Sequence, residues 1–338
     1  MKTIVIKIDP NDPDEDRLKD VAKIARDGGL VAFPTETVYG LGTNAFNEQA
    51  VRRLFEVKQR PPDNPVSVLV SDVKQIYQLA EVNDVARKLI KEYFPGPITV
   101  VLKSKPDVPI IVTAGTGKVA VRMPDHKIAL KIVELANVPL ATPSANISGK
   151  PSPTKAEHVI EDFMGKIDAI VDGGETGIGI ESTVIDTTTE PSKILRLGAI
   201  PAEEIEEIIG DVEISEAPSM KYTHYKPKSK LIVVFGDDRN TVLKKIAELA
   251  KGYRQKGMSV GIGLKKLDRS IDADLMVEMG EDVKEYARKV FDTLRKFDKV
   301  DVGIVEGIRG RGLARAIMNR LIKASDEIVE LDRKGEIT

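Results

Sequence analysis

Hydrophobic positions in the first two hundred residues follow two alternating rhythms. Short apolar runs at 30–33, 66–70, 98–102, 119–123, 140–142, 169–172 and 182–186 are too brief for helices, and they predict strands. Between them, apolar residues recur every three or four positions over 14–27, 48–57, 82–93, 126–136, 154–164 and 201–209, which predicts helices. Residues 1–8 alternate like a further strand. Strands interleaved with helices argue for an α/β fold built on one twisted sheet.

The rhythm lapses from 206 to 230, where acidic residues, Ala217-Pro218 and a Lys/Tyr/His/Pro-rich stretch predict an extended linker. It resumes with strand-like runs at 231–235, 259–264 and 301–305 and helical patterns at 241–255, 282–297 and 313–324. These predict a smaller, Rossmann-like α/β domain with a parallel sheet. The expected organisation is a domain over 1–205, a linker over 206–230 and a second domain over 231–338. Gly307-Ile308-Arg309-Gly310-Arg311-Gly312 follows the last of these runs but lacks the full Gly-x-Gly-x-x-Gly spacing, so it is read as a tight loop that positions a helix. The glycines at 173–179 are not followed by the Lys-Ser/Thr of a Walker A loop.

A chain of 338 residues can bury two cores. Residues 1–200 hold 25 basic against 27 acidic side chains and residues 231–338 hold 22 against 19, so neither half has the dense basic footprint of nonspecific duplex binding. With no cysteine, disulfides, thiolate metal sites and cysteine nucleophiles are excluded, and three scattered histidines do not suggest a histidine cage. No apolar stretch reaches membrane-spanning length and the N-terminus does not read as a signal peptide, so a soluble, cytoplasmic protein is expected.

Candidate chemistry gathers in four strings. Residues 143–154, Pro-Ser-Ala-Asn-Ile-Ser-Gly-Lys-Pro-Ser-Pro-Thr, join a strand to a helix and offer hydroxyls, an amide and free N–H groups to an anion such as phosphate. The same composition also serves ordinary loops, and Ser152 or Thr154 could cap the helix that follows. Residues 28–42 run from a strand through Pro-Thr-Glu-Thr into a glycine-rich turn, and Lys58-Gln59-Arg60-Pro61-Pro62-Asp63-Asn64-Pro65 follows a predicted helix. Arg122 lies within the apolar run 119–123, where an unpaired cation is costly. It needs a carboxylate, either from the protein (Asp172 or Asp186) or from a substrate.

Together these strings resemble the threonylcarbamoyl-AMP synthases, the Sua5/YrdC/YwlC family. Its lysine–x–arginine and serine–x–asparagine signature matches at Lys58, Arg60, Ser144 and Asn146, and the segment 219–227, with His224 and Tyr225, is similar to the linker of the longer, two-domain members. The resemblance implies a YrdC-like open, twisted α/β sheet with a concave face, and a reaction in which ATP, L-threonine and bicarbonate or CO2 give threonylcarbamoyl-AMP and pyrophosphate. It implies that Lys58, Arg60, Ser144 and Asn146 carry the chemistry. With Asn64, Lys118, Ser152, Arg196 and Tyr225 they would contact ATP, while Thr35, Arg122, Thr142 and Ser182 would hold threonine. Mg2+ is expected on the phosphates, with no protein ligands named.

The product would serve the threonylcarbamoylation of adenosine 37 in tRNA through a separate transferase of the Kae1/TsaD type, and tRNA binding is not required for this chain's own reaction. The linker would fold back over the active site. Two departures stand out: Leu69 occupies a strand position where many members carry histidine, and Lys118 one where many carry a small hydroxyl residue, so Lys118 would meet the nucleotide through its backbone. The competing reading is an RNA-binding protein that uses the concave face as a platform.

Overall fold

The alternation within each apolar run becomes the two faces of a sheet. Leu30, Ala32, Val68 and Ile170 belong to one buried apolar cluster, whereas Val31, Phe33, Leu69, Ala169 and Val171 belong to another. Strands buried on both faces read as continuous apolar runs, which is why they were visible in the sequence. The first cluster takes Val51, Leu54 and Phe55 from helix Glu48–Lys58 and Val159 and Phe163 from helix Ala156–Phe163. The second takes Leu18, Val21 and Ala25 from helix Glu15–Arg26 and Ile128, Ile132 and Val133 from helix Lys127–Ala136.

The computed structural model describes residues 2–215 and 224–331. Its contacts divide the chain into two units, residues 1–148 with 152–221 and residues 149–151 with 222–338. Among the described residues, the first unit carries a mixed 12-stranded sheet. Its central path runs Val31–Phe33, Gly40–Asn44, Leu140–Ala141, Ser67–Leu69, Lys118–Arg122, Ile98–Ser104, Thr183–Asp186 and Ser192–Arg196. The family-motif strings therefore lie on neighbouring strands although they are scattered in sequence.

Strand Gly40–Asn44 had read as a glycine-rich turn because two of its residues lack side chains. The glycines are required there: a Cβ at Gly40 would sit 2.5 Å from Thr142 Cγ2, and one at Gly42 2.8 Å from the Phe33 ring. Regular structure also enters the segment expected as linker. Helix Ala202–Ile209 is followed by strand Val212–Ile214, which pairs in parallel with Ser192–Arg196. Residues 216–223, most of the proposed linker motif, lie outside the described residues.

The second unit holds a five-stranded, wholly parallel sheet ordered Leu275–Glu278, Val260–Leu264, Val302–Glu306, Lys230–Gly236 and Glu327–Leu331. The two outer strands, Leu275–Glu278 and Glu327–Leu331, were not predicted, because they are short and only half-buried. The 307–312 loop leads directly into helix Leu313–Ala324. Gly312 at its start has φ 56°, a conformation that favours glycine.

Candidate active site

Helix Glu48–Lys58 ends with Gln59 in the left-handed conformation, which turns the chain and leaves Lys58 facing inward. Lys58 is almost fully buried, and its ammonium donates to the main-chain oxygens of Ser144 and Asn146. In return, Ser148 N donates to Lys58 O at 2.9 Å. One buried cation thus answers two carbonyls of the Ser/Asn loop, the kind of charge-assisted bond that fixes a loop. Within the loop, Ser144 Oγ donates to Asn146 Oδ1 at 2.6 Å and Asn146 Nδ2 donates to Ile147 O at 2.9 Å. Asp162, buried on helix Ala156–Phe163, accepts from Ile147 N at 3.2 Å and steadies the loop from below.

The next turn is built by Arg60. Its Nε donates to Asn64 O at 3.1 Å, and Nη2 donates to Asn64 Oδ1 and Pro65 O, both at 2.6 Å. Asn64 is therefore an arginine partner within this turn. Arg60 is half-buried. Burial, and next the positive charge of Arg196, lower its pKa to about 10, so it remains a cation at neutral pH. That mutual repulsion places two guanidinium groups in one locality.

Arg196 leaves the end of strand Ser192–Arg196 and grips Ser182. Its Nε and Nη2 donate to Ser182 O at 3.1 and 2.9 Å, and Nη2 also reaches Ser182 Oγ at 3.0 Å. Ser182 Oγ is 2.7 Å from Thr99 Oγ1, a residue that sequence reasoning did not single out. Gly198 permits this closeness, because a Cβ there would lie 2.2 Å from Thr183 N and 2.3 Å from Ser182 C.

The Pro-Thr-Glu-Thr turn meets Arg122. Thr35 Oγ1 donates to Val38 O at 2.6 Å and lies 2.9 Å from Thr37 Oγ1, which accepts from Arg122 Nη2 at 2.9 Å. The protein carboxylate that answers Arg122 is Glu36, 2.7 Å from Nη2, and not Asp172 or Asp186. Asp186 is already occupied: it accepts from Lys118 Nζ at 2.8 Å and from Thr188, and despite its burial these bonds lower its pKa. The Lys118 side chain therefore points to Asp186, and its backbone N–H donates to Thr116 Oγ1 at 3.3 Å. In the sequence Glu36 stands out only as the carboxylate between Thr35 and Thr37 of the Pro-Thr-Glu-Thr turn.

Thr142 is buried, and its Oγ1 donates to Leu140 O at 3.0 Å. A backbone bridge between Gly40 and Ser144 ties the threonine-rich turn to the Ser/Asn loop. Leu69 is buried in the second apolar cluster, where its aliphatic side chain offers no polar group. Ser152 does not cap a helix. Its Oγ donates to the buried Glu181 Oε1 at 2.6 Å, and the helix begins at Ala156 without a side-chain cap. In the second unit, the Tyr225 ring stacks on Phe291 with centroids 5.2 Å apart, and Arg320 lies 5.9 Å over it. Among the described residues, no group of three or more His, Asp or Glu side chains could hold a metal ion, and no helix is long and apolar enough to cross a membrane.

Residues 23–198 match the Sua5/YciO/YrdC family, described as telomere recombination, and residues 200–326 match the family described as threonylcarbamoyl-AMP synthase, C-terminal domain. Over 327 residues the chain is 50% identical to a threonylcarbamoyl-AMP synthase of Pyrococcus abyssi, covering 92% of this chain and 95% of that one. It is 41% identical to a Bacillus subtilis protein of the same name, covering 94% and 95%. The crystal structure of P. abyssi Sua5 complexed with L-threonine is similar with a TM-score of 0.93 and 47% identity, covering 97% of this chain and all of that one. Escherichia coli YciO, at 24% identity and TM-score 0.53 over 58% of this chain and 96% of its own, shares the fold.

Proposed function

The chain belongs to the Sua5-type threonylcarbamoyl-AMP synthase family, and from that premise we propose that it joins L-threonine, bicarbonate or CO2, and ATP into threonylcarbamoyl-AMP and pyrophosphate. It is an AMP-transferring enzyme by that membership. The observation that most supports the reading at the level of residues is Arg122, a buried guanidinium that donates to the Thr37 hydroxyl, itself 2.9 Å from that of Thr35.

In this reading Arg122 takes the carboxylate of threonine, near Thr35 and Thr142. The amine takes up carbon dioxide, and an oxygen of the resulting N-carboxylate attacks the α-phosphorus while pyrophosphate departs. No protein nucleophile is needed. The chain contributes position and fixed charge. Lys58 acts through the loop it holds, setting Ser144 and Asn146 against the nucleotide. Arg60 and Arg196 supply positive charge for the phosphates, and Arg196 also positions the Ser182 hydroxyl on the threonine side. Mg2+, which the resemblance implies, would come with the phosphate oxygens of ATP and would offset their charge, since among the described residues no cluster of carboxylates or histidines could hold it. The product would pass to a separate tRNA-modifying transferase in the cytoplasm.

The RNA-platform reading is not favoured, since the relatives are synthases and the net charge is −2. The test is pyrophosphate release from ATP and bicarbonate with and without L-threonine, beside Arg122→Ala. Threonine-dependent release that Arg122→Ala abolishes supports the proposal. Release indifferent to threonine overturns it.

A further inference from the structure

Glu36 sits in the threonine-rich turn with its side chain 12% exposed, and its ion-pair partner is Arg122 Nη2 at 2.7 Å. That contact is ionic but poorly aligned, and neither Glu36 oxygen accepts a hydrogen bond among the described residues. An ionised carboxylate has about four acceptor positions, and leaving them buried and unanswered is costly. Arg122 is also incomplete: Nη2 is engaged by Thr37 and Glu36, while its buried Nε has no partner. The pair thus has N–H donors left on the cation and acceptors left on the anion, side by side.

Neighbouring groups do not supply the missing donors. His126, close enough to feel the charge of Glu36, has its pKa lowered by burial, which favours the neutral ring. Its Nδ1 is itself buried without a partner. Lys118 is taken by Asp186.

We infer that Glu36 reads the ammonium group of the amino-acid substrate while Arg122 reads its carboxylate. The inference rests on the proposed role of Arg122 as carboxylate anchor. An α-amino acid carries both charges on one carbon, a carboxylate with acceptors for Arg122 and an ammonium with three donors for Glu36, so the zwitterion completes both members of the buried pair. For carboxylation the ammonium first releases one proton to water, and the freed amine lone pair adds CO2. A second proton leaves to water, and the one N–H that remains on the N-carboxylate still faces Glu36. The preference is then for an amine-bearing substrate over an otherwise identical hydroxy acid.

The test compares calorimetric binding of L-threonine with that of 2,3-dihydroxybutanoate, in which a hydroxyl replaces the amine. Wild type is expected to prefer threonine by about tenfold or more, and Glu36→Gln to shrink that preference below about threefold by weakening threonine alone. Glu36→Asp, which keeps the charge, retains the preference. A wild-type preference below about threefold overturns the inference without any variant, and so does equal weakening of both ligands by Glu36→Gln. If Arg122→Ala weakens neither ligand, it is the carboxylate anchor that fails instead.

Discussion

Lys58 Nζ donates to the main-chain oxygen of Ser144, a residue 86 positions later, so a helix end and the Ser/Asn loop are locked by one buried cation. Two motif residues that look like independent phosphate contacts in the sequence form one mechanical unit. Lys58→Met is expected to remove the donor to two carbonyls, costing about 1–3 kcal/mol of stability. By releasing the loop it should also lower turnover about a hundredfold or more. Denaturant unfolding and pyrophosphate release read the two effects. Unchanged unfolding with lost turnover would instead mark Lys58 as a direct ligand of the nucleotide.

Gly198→Ala brings a methyl carbon within 2.3 Å of the Ser182 backbone, where Arg196 makes its grip. Overpacking against backbone is expected to cost about 1–3 kcal/mol and to reduce activity in parallel. Gly177→Ala is the control, since its added carbon meets nothing closer than Glu36 O at 3.9 Å, and it should stay within about 0.5 kcal/mol of wild type. Thermal midpoints and rates of both variants decide the matter.

Burial lowers the His126 pKa below its ordinary 6.5, with the charges of Glu36 and Asp125 opposing. The unfolded chain therefore binds this proton more readily than the folded one as pH falls through 6.5, and stability should decline below that point toward the folded value. The wild-type minus His126→Gln difference in unfolding free energy isolates this from the carboxylates. It is expected to be steady above neutrality and to move against wild type as the pH falls below 6.5. A difference that stays flat across that range would mean the histidine titrates as if exposed.

Ser152 Oγ answers the buried Glu181 carboxylate. Ser152→Ala should therefore cost about 1–3 kcal/mol, well above the loss of an ordinary surface hydroxyl. Glu181→Gln, which can still accept from Ser152, should be milder. The order of the two unfolding midpoints checks this, and a neutral Ser152→Ala would show that water replaces the hydroxyl.

The apolar runs 30–33, 66–70, 98–102 and 119–123 predicted strands correctly because each is covered on both faces, so burial left a continuous signal. Gly40–Asn44 gave none, since its glycines are chosen by neighbours such as Thr142 and Phe33 that lie far along the chain. The short edge strands Val212–Ile214 and Leu275–Glu278 escaped for the opposite reason: half exposed, they carry little apolar pattern. At the site, the need of Arg122 for a carboxylate was legible, but the choice of Glu36 over Asp172 or Asp186 was not. Which carboxylate is free depends on Lys118 and Thr188 claiming Asp186 across the sheet.

By itself, then, the sequence determined the α/β class, the parallel second sheet, the family and the residue types gathered for an anionic substrate, because periodicity and motif order are local. Only the tertiary structure decided that Lys58 is spent on the loop, that Arg196 holds Ser182, and that Glu36 stands beside Arg122 with its oxygens unanswered. Hydrogen-bond partners are assigned by which strands become neighbours, and strand order in this sheet does not follow the order of the chain.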